Sequence, residues 1–118
     1  MGAVAGRQRL NGLNAQVREA AAWCLDVADY YGVPVTVTSG YRSWQQQAQL
    51  RQDYEEGRSR WPANRPGDSA HNYGLAFDST VPDWAQAWWN QVRRYVGFEV
   101  LPNDIIHAQV PNWRAYVG

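Results

Sequence analysis

From Asn14 onward the apolar positions Val17, Ala20, Ala21, Cys24, Ala28 and Tyr31 recur at helical spacing. Asn14 is a suitable N-cap, and Gly32 followed by Pro34 after one residue ends the run. The period then drops to two. Val35 and Val37 fall on one side of a predicted half-buried strand, Thr36 and Thr38 on the other. Ser43 with Gln46 forms a capping box for a second helix that stops at Gly57. Residues 58–68, RSRWPANRPGD, carry two prolines, a glycine and three arginines, and read as a surface loop beside a site. A short strand covers 74–80. Pro82 starts a third helix with Ala85, Trp88, Trp89, Val92, Tyr95 and Val96 on its apolar stripe, and Gly97 closes it. The last predicted strand runs from Ile105 to Val110. Helices and strands mix without a regular βαβ rhythm, which predicts an α+β fold.

The 118 residues suit one compact domain with one core, here 1–118 with its centre at about 13–113. Eleven basic residues balance eleven acidic ones, so no basic face is available for nucleic acid or an anionic membrane surface. No apolar run is long enough for a signal peptide or a membrane span. This suggests a chain made in the cytoplasm and released by other means, or a domain of a longer exported protein. The single cysteine, Cys24, excludes an internal disulfide and reads as a small buried hydrophobe. Seven Trp and seven Tyr with only two Phe supply rings with polar handles, most of them expected in core and rim packing.

Candidate chemistry concentrates in SAHNYGLAFD, Ser69 to Asp78. In a strand over 74–80, Leu75 and Phe77 would face the core. Gly74, Ala76 and Asp78 would face the other way, leaving space beside the carboxylate. The second histidine, His107, lies in NDIIHAQV. There Ile106, Ala108 and Val110 share one face, and Ile105, His107 and Gln109 share the other. Two imidazoles and one carboxylate can make a three-ligand zinc set with a fourth position for water. Spacing alone does not bring the three together, and each histidine alone also fits an ordinary core or surface role. Arg42 and Asp104 likewise suit turn positions.

SAHNYGLAFD resembles the S-x-H-x-x-G-x-A-x-D signature of the zinc peptidases that cut bacterial peptidoglycan stems. These are the VanY-like D-Ala-D-Ala carboxypeptidases and dipeptidases, and the L-alanyl-D-glutamate endopeptidases of bacteria and phage lysins. SGYRS at 39–43 followed by Gln47-Ala48-Gln49-Leu50 is similar to a second element of that family. Asp104-Ile105-Ile106-His107 is similar to a third, with Gln109 where Glu or Gln is common. The resemblance implies a hedgehog/DD-peptidase-like fold with a short, mainly antiparallel sheet and flanking helices. It implies one zinc ion (Zn2+) held by His71, Asp78 and His107. Asp104 would be the general base and acid, and Arg42 would bind a substrate carbonyl or carboxylate and steady the oxyanion. Ser69 and Gln47 would contact substrate.

The implied partner is the peptidoglycan stem peptide, acted on by a monomer. Glu99 is a rival carboxylate, but it lies eight residues before His107 and does not fit the third element. Ile106 and Ala108 stand where the family often has proline and an aromatic, which leaves the pocket shape and the bond cut open. The alternative function is a non-catalytic zinc-containing binding module of the same fold.

Overall fold

The computed structural model of the protein describes residues 2–117. Its elements are β1 (Val4–Ala5), α1 (Ala15–Tyr31), β2 (Val35–Ser39), α2 (Trp44–Glu55), β3 (Ala76–Thr80), α3 (Gln86–Tyr95), β4 (Glu99–Leu101) and β5 (Asp104–Gln109), joined by short 3₁₀ turns. The five strands form one sheet in the order β1-β2-β3-β5-β4. The β1–β2 pair is parallel and the other three are antiparallel. The expected α+β class with a short, mainly antiparallel sheet is what the chain adopts.

Local signals explain the helix bounds. The Asn14 side chain accepts from the backbone N–H groups of Gln16 and Val17, and Gly32 closes α1 in the left-handed conformation. Ser43 and Gln46 form the reciprocal capping box of α2. Helix α1 buries Val17, Ala21, Cys24, Leu25 and Ala28 in the same core as Val35, Val37, Phe77, Trp89 and Phe98. Burial pushes the Cys24 thiol up to about 12, so it stays a neutral packing group.

Three expectations are corrected. Tyr31 on α1 and Tyr95 on α3 are both exposed, and Arg93 is fully buried on α3 instead. Hydrophobicity favours a tyrosine on the apolar stripe, yet the arginine finds enough acceptors inside to be accommodated. Gly74 is not a strand residue clearing the face of Asp78. It caps a 3₁₀ turn over Ala70–Tyr73 at φ 71°, where a side chain would be strained. A Cβ there would also stand 2.8 Å from the backbone nitrogen of Asn14. Ile106 does not join Ala108 in the core but is 41% exposed. Its strand is irregular, since Glu99 pairs with Gln109 but Leu101 pairs with Asp104. The extra residues of β5 bulge, and strict alternation fails between 104 and 107. The short strands β1 and β4 lacked enough alternating positions to be read from the sequence.

Candidate metal centre

Strands β3 and β5 place Asp78 directly opposite His107. Facing positions on neighbouring strands bring side chains within contact reach. His71 arrives from the 3₁₀ turn that feeds β3, and its own backbone N–H donates to the Ser69 hydroxyl that caps the turn. The result is a tight triangle. His71 Nε2 lies 3.1 Å from Asp78 Oδ1 and 3.2 Å from His107 Nδ1, and His107 Nδ1 lies 3.0 Å from Asp78 Oδ1.

Outer hydrogen bonds decide what these atoms are. The other ring nitrogen of His71, Nδ1, is 2.8 Å from the Gly40 carbonyl. A carbonyl only accepts, so Nδ1 carries the proton and the neutral ring turns a lone pair on Nε2 inward. His107 does the reverse. Its Nε2 is 2.8 Å from Gln109 Oε1, which leaves Nδ1 as the inward lone pair. Three acceptors thus converge with no donor between them when both rings are neutral, an arrangement that suits a cation. Donor atoms of a tetrahedral zinc at about 2.0–2.2 Å from the metal stand roughly 3.3–3.6 Å apart. The observed triangle is only slightly smaller, and the two nitrogens and one oxygen match zinc's preferences. The residues present therefore fit the ion.

Burial alone would raise the Asp78 carboxyl, but hydrogen bonding to His107 and His71, and the charge those rings carry when protonated, outweigh it and hold the group well below its usual range. Burial alone would lower His107, but its hydrogen bonds to Asp78 and Gln109 and the nearby charges of Asp78 and Asp104 raise it.

The triangle sits in a cleft of about 970 Å³. Arg42, Gln47, Ser69 and Asp104 line the same cleft. The Arg42 guanidinium is 3.9 Å from Asp78 Oδ2 and is held by Ser39 Oγ and Gln47 Oε1, each at 3.0 Å. Burial lowers its pKa and the Asp78 charge opposes that shift. Gln47 is 1% exposed and also donates to the Asn64 carbonyl at 2.7 Å, so both ends of its amide are engaged. Its geometry suits holding Arg42 more than meeting substrate. Ser69 is buried as the turn cap. Asp104 is exposed at the tip of the β4–β5 hairpin, open to the cleft. The 58–68 loop forms a wall through Ser59, Trp61, Pro62, Ala63 and Asn64. Of its arginines, Arg58 pairs with Asp53 at 3.0 Å and with Glu56, and Arg60 stacks over Trp61.

Some supporting residues were not legible in the sequence. Asn72, buried after His71, donates to the Arg42 carbonyl at 2.8 Å and accepts from the Gly67 N–H. The Arg42 N–H in turn donates to the His71 carbonyl at 3.0 Å, so the 40–42 and 71–72 segments are stapled. Arg93 donates to the carbonyls of Ile105 and Ile106 at 2.8 and 3.4 Å, inside the β5 bulge. Burial brings its pKa down to about 10, leaving it a cation at neutral pH.

Two imidazoles and one carboxylate converging in the cleft of an α+β domain define a candidate metal centre. The VanY family model, D-alanyl-D-alanine carboxypeptidase, matches residues 10–99, and the chain belongs to that family. The match includes Arg42, His71 and Asp78 and stops before Asp104 and His107, which are joined to the others by the fold. No match was found among curated protein sequences. Among solved structures, the fold is similar to that of the LdcB LD-carboxypeptidase, at TM-score 0.69 and 24% identity over 94% of this chain and 72% of that one. It is also similar to the Serratia marcescens L-Ala D-Glu endopeptidase ChiX, at TM-score 0.60 and 22% identity over 96% and 90%. A third similar structure is the vancomycin resistance D,D-pentapeptidase VanY in complex with Zn(II), at TM-score 0.66 and 19% identity over 89% and 76%.

Proposed function

We propose that this chain is a zinc-dependent peptidoglycan peptidase that hydrolyses an amide bond of the stem peptide. The bond is either L-Ala–D-Glu, cut internally, or D-Ala–D-Ala, cut at the terminus. The observation that carries the reading is the triangle of three inward acceptors at 3.0–3.2 Å, in a cleft that also presents Arg42 and Asp104. Family membership supports the peptidase class.

His71, Asp78 and His107 would hold the ion. Bound zinc supplies Lewis acidity, bringing the pKa of water to roughly 7 and polarising a carbonyl. The chain's own groups do the rest. Asp104, at the open tip of its hairpin, accepts the proton of the attacking water and passes it to the departing amine. Such proton transfer is typically worth about 10²- to 10⁴-fold. Arg42 presents a guanidinium fixed by Ser39 and Gln47, so it meets the developing oxyanion without first reorganising. A carboxylate of the substrate can take the same donor.

The test is digestion of purified peptidoglycan by the zinc-loaded protein, with a chelator control, read by mass spectrometry. Chelator-sensitive new termini are expected: a freed D-Glu amine for the endopeptidase, or released D-Ala for the carboxypeptidase. Zinc bound at the site with no cleavage of several wall types would overturn the catalytic reading in favour of a binding module.

A further inference from the structure

We propose that Glu99, acting through Gln109, is a positioning residue that selects which nitrogen of His107 faces the metal site. The inference rests on the zinc reading above. Glu99 and Gln109 are paired across β4 and β5. Gln109 Nε2 donates to Glu99 Oε1 at 2.7 Å, and Gln109 Oε1 lies 2.8 Å from His107 Nε2. All three side chains are partly shielded from solvent.

The chemistry of this chain runs in one direction. An ionised carboxylate only accepts, so Glu99 requires the NH2 end of the Gln109 amide. The amide oxygen is then committed to His107. An oxygen facing Nε2 requires the proton there, and Nδ1 is left with the lone pair that a cation needs. Without Glu99 the amide is free to turn over. Its NH2 would then face Nε2, favour the lone pair at that atom and direct the remaining ring proton into the site. An amide alone is ambiguous at this position, and the carboxylate removes the ambiguity. His71 needs no such device, because a backbone carbonyl has no donor end.

The experiment measures zinc affinity of the purified protein by competition with a chromophoric chelator. The His107 Nε2–H signal of the zinc-loaded protein is followed by NMR in parallel. Glu99→Ala is expected to weaken zinc binding about tenfold, at the lower end of the range for outer partners of metal ligands. It should also speed exchange of the Nε2 proton. Glu99→Gln keeps the shape and guards against a folding failure; it should show the same direction of change. The exchanged pair Glu99→Gln/Gln109→Glu restores a one-way chain, because the amide at 99 then donates to a carboxylate at 109 that accepts from Nε2–H. It should return affinity to within about threefold of the parent and restore the protected proton.

A merely structural role for Glu99 would not be rescued by the exchange. Wild-type zinc affinity and an unchanged Nε2–H signal in both single variants would overturn the inference while leaving the peptidase reading standing. A parent protein that fails to bind zinc would overturn both.

Discussion

The two histidines of the site are held in opposite ways. His71 is 3% exposed and fixed by backbone: its ring nitrogen meets the Gly40 carbonyl, and its own carbonyl accepts from the Arg42 N–H. His107 lies on a bulged strand and is fixed by side chains, with Gln109 and Glu99 on the ring and Arg93 on the carbonyls behind it. Backbone partners are supplied by the chain path, so they survive most substitutions nearby. Side-chain partners can be lost one at a time. The His71 half should therefore behave as a rigid reference, and the His107 half as the part where affinity and chemistry are tuned.

The largest expected effects separate holding the metal from using it. His71→Ala should reduce zinc affinity by more than the roughly 10–100-fold typical of losing an outer partner. Asp104→Asn should keep zinc while hydrolysis falls about 10²- to 10⁴-fold. Elemental analysis and the wall digest read the two quantities separately. Equal zinc content in the first variant, or unchanged hydrolysis in the second, would remove the role assigned to that residue.

Next in size are changes to the supports. A Cβ at position 40 would stand 2.0 Å from the Arg9 carbonyl oxygen. Gly40→Ala therefore forces the chain apart just where its carbonyl meets His71. We expect a loss of about 1–3 kcal/mol of stability together with weaker zinc binding. Arg93→Lys attacks the other half. One ammonium cannot reach the Ile105 and Ile106 carbonyls and Asn90 as the guanidinium fork does, and a buried acceptor left unpaired costs about 1–3 kcal/mol. Urea unfolding measures both. If the two halves are held as described, the Arg93 variant should keep His71 ordered in NMR spectra, whereas the Gly40 variant should not. Identical spectral disturbance in both would dissolve the distinction.

The same contrast explains what the sequence made legible. The helix limits were carried by local chemistry: Asn14, Gly32, Ser43 and Gln46 act within a few residues of their own positions. His71 and Asp78 stand in one short signature, and resemblance tied them to Arg42. The supports of His107 were hidden because Glu99, Gln109 and Arg93 act across strands, and a register shift governs who meets whom. A period-two reading sent Ile106 to the core and could not foresee a bulge. Arg93 carried a second obstacle: a charged residue on a helix is expected in solvent unless partners are known in advance. In the sequence Glu99 reads only as a rival base. Its pairing with an amide, rather than its distance from His107, gives it a different place in the site.

The smallest expected effect concerns pH, and it reverses sign with the metal. In the metal-free protein Asp78 titrates below its ordinary 3.8, so its contribution to stability is present above that value and is lost as pH falls through the depressed one. His107 titrates above its ordinary 6.5, so its contribution is full below 6.5 and is lost as pH rises through the raised value. Metal-free stability should therefore be greatest under mildly acidic conditions and decline above neutrality. Zinc needs the lone pair on His107 Nδ1 and competes with that proton, so metal binding should strengthen over the range where metal-free stability declines. Thermal unfolding from about pH 5 to about pH 9, with chelator and then with excess zinc, should give curves of opposite slope near and above neutrality. Asp104→Asn removes one of the charges that raise His107, so it should shift both slopes slightly towards lower pH. Parallel curves would mean that the His107 proton and the metal do not compete for one nitrogen.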